Sequence, residues 1–483
     1  MSDKTTNNKA TSSLLWSGIE LFGSQGLSLI ITIVISRLVS PEDYGLIAML
    51  SIFMVLSQVF INCGFSNYLI QNKDRDAGDL STVFYLNVTV GLICYLILFL
   101  SAHAIANFYN QPTLSSIIKY YSLVLIISSL TLVQRAKLYI DFKYRKLSLI
   151  TIASLIIAGT TSIILAINGF GVWALVAYQV LLNFLISIII WITSDWHPIP
   201  TFSFSKAKKA FSFGGKLLGA NLINNGVANL YTMVIGKKFQ ATELGFYSRG
   251  QSLAFVFPTN FSNMLQQAAY PVLCELQADT IELKNVFCKY LSMASMIAFP
   301  IMALLFGISE PLIRILLTDR WLPAVPFLKI LSIGYMFDPI MRLNSIILTV
   351  TGKTQLSLYS EIIKKSVLVA LLFITLPLGI IWVSISVIIY SICDLLIVSF
   401  FTKKIIPLSI LEEIKILLPY LIFATIICCL TLLINCFLIS SLIKIIISVP
   451  TSMVIYIMLI KKFKPRQYNY IRDYFKNLIC KKS

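Results

Sequence analysis

The sequence predicts an all-α polytopic membrane protein, and three observations carry that reading. Of its 483 residues, 57% are hydrophobic and only 12% are charged, where soluble domains carry roughly 25% charged residues. The apolar residues gather in runs of about 20, the length that crosses a bilayer as a helix with every backbone group satisfied internally. A turn also recurs. Residues 35–47 read ISRLVSPEDYGLI, and about two hundred residues later 235–247 read IGKKFQATELGFY. Ile35 aligns with Ile235, Arg37 with Lys237, Asp43 with Glu243 and Gly45 with Gly245. One structural unit used twice is the simplest account.

Taken in order, the runs give about fourteen spans. They lie near 14–39, 43–66, 79–106, 115–134, 147–168 and 171–193, then 211–236, 242–270, 284–308, 324–350, 355–378, 380–402, 412–435 and 438–460. Polar residues interrupt spans 2 and 8. The repeat continues beyond its turn. Asp79–Phe84 aligns with residues 282–287 at the start of spans 3 and 9, Lys119 with Lys329 in spans 4 and 10, and Trp173 with Trp382 in spans 6 and 12. Six spans separate the copies, so both share one topology. This parallel repeat implies a pseudo-two-fold axis along the membrane normal and a cavity between the halves. The organisation expected is an N-terminal lobe over 1–193, a cytoplasmic linker over 194–210 with a short interfacial helix, a C-terminal lobe over 211–402, two further helices over 403–460 and a basic tail over 461–483.

The formal net charge of +18 does not indicate nucleic acid, because the basic residues sit in loops and tails between apolar runs. Arg135, Lys137, Lys143, Arg145, Lys146, Lys206, Lys208 and Lys209 fall in loops after even-numbered spans. The opposite loops hold far fewer. The bias places both termini in the cytoplasm. In the tail, Ile471, Tyr474, Phe475 and Leu478 recur at helical spacing among lysines and arginines. Such a helix would lie on an anionic leaflet, each basic residue contributing about 1 kcal/mol. The polar first dozen residues do not read as a cleaved leader, so the first span is expected to direct insertion. The nine cysteines sit mostly in apolar runs and read as small fillers; two histidines argue against a histidine metal site. No phosphate-binding GxxxxGK[ST] loop occurs, so ATP is not the expected direct drive.

Read in order, GSQGLSLIITIVISRLVSPEDYGLIAML, FSNYLIQ, STVFYLN, IANFYNQP and GFGVWALVAYQ resemble the polysaccharide transporter family. In the second half, IGKKFQATELGFYSRGQSL, YPVLCELQAD and GKTQLSLYSEIIKK resemble the same family. Its members are flippases for lipid-linked oligosaccharides within the multidrug/oligosaccharidyl-lipid/polysaccharide exporter superfamily. The likeness covers roughly residues 11–405 and is nearest to exporters of capsule, colanic-acid-like or teichuronic-acid-like units. It implies a V of two six-helix lobes around a central cavity in the cytoplasmic (inner) membrane. It also implies an undecaprenyl-pyrophosphate oligosaccharide as substrate, moved from inner to outer leaflet by alternating access for O-antigen, capsule or exopolysaccharide synthesis. A polysaccharide polymerase and chain-length machinery would be the protein partners.

Polar residues inside spans are the candidate site. In span 8, Arg249, Asn260, Asn263 and Gln267 fall within about 40° of one line at 100° per residue. Arginine suits a pyrophosphate and the amides suit sugar hydroxyls; alternatively, Arg249 reaches outward and the amides bond neighbouring helices. Span 7 offers Asn221, Asn225 and Thr232, and span 2 offers Ser51, Gln58 and Asn62. In span 11, Lys364 and Lys365 would form a basic pocket for pyrophosphate, or reach to the interface, with Glu361 and Lys365 able to neutralise each other at i,i+4. Glu20 in span 1 is the candidate coupling group. Asp338 and Arg342 lie one turn apart and should pair; Asp394 has no evident partner. Pro258, Pro300, Pro339 and Pro377 would kink spans of the C-terminal lobe. No catalytic residue, metal site or cofactor is expected. A cation-coupled multidrug exporter of the same fold would need a compact acidic site, which Glu20, Asp338 and Asp394 do not form. A membrane polymerase or glycosyltransferase would rest on Asp74-Arg75-Asp76, which has no soluble domain around it.

Overall fold

The computed structural model describes residues 23–465. Glu20 and most of the basic tail lie outside the described residues. Within them every regular element is helical. The chain runs through α1 (Gly23–Leu38), α2 (Pro41–Asn62), α3 (Phe65–Gln71), α4 (Ala77–Tyr109), α5 (Thr113–Tyr121), α6 (Leu123–Ser129) and α7 (Leu132–Ile140). It continues through α8 (Tyr144–Ile167), α9 (Val172–Thr193), α10 (Phe204–Lys238), α11 (Ala241–Glu275), α12 (Thr280–Gly307) and α13 (Ser309–Leu316). The last are α14 (Val325–Tyr335), α15 (Asp338–Val350), α16 (Thr354–Thr375), α17 (Ile380–Thr402), α18 (Ile410–Phe437) and α19 (Ser441–Phe463).

Among the described residues, ten segments are long and apolar enough to cross a membrane. They fall at the expected spans 2–6, 9, 10 and 12–14. The other four expected positions are occupied by α1, described from Gly23, and by α10, α11 and α16, whose asparagines, glutamines and lysines dilute the apolar run. Large apolar side chains such as Leu100, Ile192 and Ile439 stand fully outward, as lipid-facing residues do. The helices pack as two compact units that divide between Gly245 and Phe246. In the first unit α10 packs on α2, α3 and α4, and α8 packs on α9. In the second, α12 packs on α18 and α14, and α17 packs on α14, α15 and α16. The division falls later than the sequence boundary at 193–211 because α10 binds the first unit. The helix expected inside 194–210 is the first turns of α10.

The repeated sequence marks helix starts. Ser40 Oγ caps the N3 amide of α2 and Asp43 reaches back to the Ser40 amide at 3.3 Å. In the second copy the Gln240 amide lies 3.4 Å from Glu243 Oε2. The recurring acid is thus the N3 residue of a cap. Asp76 with Asp79 caps α4 in the same way, and Asp279 accepts from the Ile281 and Glu282 amides at the start of α12.

Span 2 breaks where Cys63 and Gly64 take positive φ. Span 8, by contrast, is continuous through Pro258 and Pro271. Span 4 is three short helices. Its breaks free carbonyls, and neighbours take them: Asn87 donates to Ser129 O at 2.9 Å and the Trp191 indole to Leu130 O at 3.1 Å. Span 10 breaks likewise between α14 and α15. Pro339 sits in the first turn of α15 and Pro377 in a 3₁₀ turn after α16. Of the four prolines expected to kink helices, Pro258 and Pro300 are interior to one, while Pro339 opens its helix and Pro377 follows one.

Gly236 approaches Met49, Gly226 approaches Leu56 and Gly214 approaches the Cys63 carbonyl, so α10 runs antiparallel to α2 on a stripe of small residues. At Gly45 an added Cβ would lie 1.8 Å from the Ala241 carbonyl oxygen, and at Gly245 it would lie 1.9 Å from that of Pro41. Pro41 and Ala241 hold the same place in the two copies, so the repeated turns meet reciprocally, backbone to backbone. Many buried hydroxyls bond within their own helix, among them Ser148 to Tyr144 O, Ser332 to Leu328 O, Ser384 to Ile380 O and Ser391 to Val387 O.

Candidate functional site

In the second unit, α11 and α15 together build a polar face. The Asp338 carboxylate is mostly buried. Its Oδ2 accepts from Ser262 Oγ at 2.7 Å and from Arg342 Nε at 2.9 Å. One carboxylate oxygen thus holds the base of the guanidinium to α11. The Arg342 side chain is 36% exposed, and its Nη1 lies 3.5 Å from Asn263 Oδ1. Guanidinium carries five donors in a planar fork. With Nε on Asp338 and Nη1 beside Asn263, the outer N–H groups face outward. Asn263 and Gln267 are exposed on α11, and half-buried Asn260 donates to the Val256 carbonyl at 2.9 Å. A fixed cation beside amides can bind a phosphate oxyanion and the hydroxyls next to it.

Arg249 is not on that face. It is buried, because α11 packs hard against α14 at the next residue: a Cβ on Gly250 would lie 2.9 Å from Phe327 Cβ and 3.0 Å from the Leu328 amide. The structure therefore keeps Asn260, Asn263 and Gln267 together and separates Arg249 from them. Helical phase alone could not show this, because it says nothing of what covers a face. The Asp338–Arg342 pair was legible as an i,i+4 pair. Which member is buried was not.

Lys364 and Lys365 part company. Lys364 is buried and ion-paired with both Glu361, one turn before it, and Asp394 Oδ1 of α17 at 3.3 Å. Asp394, without an evident partner in the sequence, thus has one across the helix pair. Glu361 pairs at i,i+3 with Lys364, in place of the i,i+4 pairing expected with Lys365, which is half-buried. Glu413 is a further buried carboxylate. Asn344 of α15 donates to its Oε1 at 2.7 Å. Its neighbour Glu412 is exposed and pairs with Lys284 at 3.0 Å, so adjacent acids at the start of α18 have opposite surroundings.

In the first unit, Asn221 is exposed on α10, Asn225 donates to the Asn221 carbonyl at 2.8 Å and Asn229 to the Asn225 carbonyl at 2.9 Å. The three make a stripe one turn apart, of which Asn229 was not anticipated. Gln58 accepts from Ser128 at 3.3 Å and lies 3.4 Å from Asn62, so it ties α2 to α6. Below these, Lys206 binds Asp76 at 2.5 Å and Asp79 at 3.3 Å. The Lys206 ammonium and the Asp79 amide hold the Asp76 carboxyl well below the usual carboxylate range.

The fold is one found in solved multi-helix membrane proteins, a lipid flippase and a multidrug exporter among them. The structure matches the lipid II flippase MurJ, inward closed conformation, with a TM-score of 0.74 at 17% identity over 94% of this chain and 99% of that one. It matches an inward-facing multidrug resistance MATE family transporter of the MOP superfamily with a TM-score of 0.62 at 14% identity, over 81% and 98%. Residues 34–326 match the family model described as "Polysaccharide biosynthesis protein". The chain belongs to that family. Curated relatives include the teichuronic acid biosynthesis protein TuaB of Bacillus subtilis, 27% identical over 63% of this chain and 64% of TuaB. Another is the lipopolysaccharide biosynthesis protein WzxC of Escherichia coli, 25% identical over 67% and 66%. The chain spans just under two thirds of the length of these two relatives.

Proposed function

We propose that the chain is a flippase that moves undecaprenyl-pyrophosphate-linked oligosaccharide from the inner to the outer leaflet of the cytoplasmic membrane, by alternating access. The observation that carries this is Arg342, held by mostly buried Asp338 beside Asn263, with Gln267 one turn further along α11: a fixed guanidinium fork suited to phosphate next to amides suited to sugar hydroxyls. The family and the MurJ-like fold supply the same direction. The asparagine stripe of α10 would offer a second set of hydroxyl partners, and Asn221 and Asn225 belong to it. Glu20 remains the candidate for coupling, and Arg249, Lys364 and Lys365 are assigned to support of the site more than to direct capture. Both termini face the cytoplasm on this reading, from the loop charges, and a polymerase with its chain-length machinery would receive the product. The drug-exporter alternative lacks its compact acidic site among the described residues, because Asp338, Asp394 and Glu413 are each tied to a separate partner.

A deletion strain is expected to accumulate undecaprenyl-pyrophosphate oligosaccharide, with its sugars readable by mass spectrometry of extracted lipid. Arg342→Ala should accumulate it too, at normal membrane levels, with export reduced at least tenfold. Arg342→Lys keeps charge without the fork and should restore only part. Wild-type export in Arg342→Ala, or a deletion strain with no accumulated lipid and unchanged surface glycan, would remove the basis of the proposal.

A further inference from the structure

The seam between α11 and the α14–α15 pair carries more than the guanidinium fork. Gln251 Nε2 on α11 donates to the Tyr335 hydroxyl at the end of α14 at 2.9 Å. One turn further along α11, the Phe255 ring lies against that of Tyr335, with centroids 4.9 Å apart and planes inclined at 57°. Tyr335 is half-buried and packs on the core of the second unit. Phe255 is 36% exposed. The two rings form an open corner, one wall of which is fixed by a hydrogen bond and by packing.

The corner opens on the same side of α11 as the fork. Exposed Ser252, Phe255, Asn263 and Gln266 fall within about 80° of one another on the helix, and Asn263 lies beside Arg342. The composition of that face is not that of a lipid contact. Over residues 92–100 of α4 every exposed side chain is apolar, whereas a hydroxyl and two amides would be costly against hydrocarbon. Phe255 and Asn263 are about 12 Å apart along the helix axis. A phosphate held at Arg342 therefore leaves the corner to whatever the phosphate carries.

We infer that Phe255 and Tyr335 stack a pyranose ring of the glycan, so that this chain binds the saccharide itself as well as its lipid pyrophosphate. The ligand in this inference rests on the flippase reading. A pyranose presents C–H groups on one face and hydroxyls around its rim. The C–H hydrogens are slightly positive and pack on the negative face of an aromatic ring. Ser252, three residues before Phe255, offers a hydroxyl to the rim. Each aromatic side chain has only two χ angles to fix, so a corner already formed loses little entropy when a sugar enters. Such a corner favours sugars with several C–H groups on one face, as in gluco- and galacto-configured pyranoses.

The test is native mass spectrometry of the purified full-length protein in detergent, titrated with two lipids: undecaprenyl pyrophosphate, and the glycolipid extracted from the deletion strain. Wild type should bind the glycolipid about tenfold tighter than the sugar-free lipid. Phe255→Leu should unfold at the wild-type temperature, lose most of that preference and bind undecaprenyl pyrophosphate unchanged. Phe255→Tyr should keep the preference. Arg342→Ala should weaken both lipids alike, which reports on the phosphate fork alone. No preference in wild type, an undiminished preference in Phe255→Leu, or a preference lost in Tyr270→Leu and kept in Phe255→Leu would each overturn the assignment. If Arg342→Ala bound both lipids as wild type does while Phe255→Leu lost the preference, the saccharide contact would stand and the phosphate fork would fall. A deletion strain without the glycolipid would remove the flippase reading and this inference with it.

Discussion

Gly45→Ala is expected to destabilise the protein by several degrees in thermal unfolding, and Gly245→Ala to do the same. The new methyl at either position meets a carbonyl oxygen at under 2 Å. Both partners are backbone, so no rotamer change relieves the overlap. The starts of α2 and α11 must part by roughly 1.5 Å to reach ordinary contact, and overpacking of this kind costs typically 1–3 kcal/mol, occasionally more. The two positions share one crossing. Once either methyl has separated the turns, the second adds little, and the double variant should fall well short of the sum of the singles. Gly219→Ala is the control. It lies inside α10 with nothing within 4 Å, so it should be neutral or gain about 0.5–1 kcal/mol from helix propensity. If Gly45→Ala unfolded at the wild-type temperature, the reciprocal contact would not hold the turns together.

Asp394→Ala is expected to be comparably severe, for an electrostatic reason. It leaves the Lys364 ammonium buried between α16 and α17 with only Glu361 beside it. Removing one partner of a buried pair costs about 3–5 kcal/mol, chiefly because the other charge is stranded. Lys364→Ala strands Asp394 and should cost about the same. The informative variant is Lys364→Met with Asp394→Leu. Replacing both charges by apolar groups of similar size is often neutral, so the pair should recover most of the lost melting temperature. Recovered stability with wild-type export would make Lys364 a structural ion. Recovered stability with export abolished would return it to substrate handling. A double variant as unstable as the singles would mean that the charges do not act as a pair.

Much of the fold was legible because its signals are local. Apolar runs of spanning length need no tertiary knowledge, and the repeated turn carries its own reason: the acid at Asp43 and Glu243 reaches back to cap the helix it begins, and the glycine two places on stands where another backbone must come close. The breaks in spans 4 and 10 were not legible. An apolar run does not reveal that Asn87 and Trp191 wait on other helices to take the carbonyls a break exposes. The site was readable in part. Asn263 and Gln267 lie on the face that helical phase gives them, and Asp338 pairs with Arg342 as its spacing implies. Arg249 shows the limit, since Gly250 beside it invites α14 to cover that turn. Asp394 and Lys364, thirty residues apart, show another: a buried ion pair between helices has no sequence period to betray it.

The serines and threonines that bond back into their own helices have a kinetic consequence. A hydroxyl satisfied by the carbonyl one turn earlier carries its hydrogen bond with it when the helix moves. Where such helices pass one another, a hydroxyl bonded only within its own helix adds no polar bond that displacement must break. Each such hydroxyl lowers the barrier to sliding relative to one that bonds the neighbouring helix. Bonds that do cross between helices, such as Gln58 with Ser128 and Asn344 with Glu413, would act as pawls, fixing positions at which these helices come to rest.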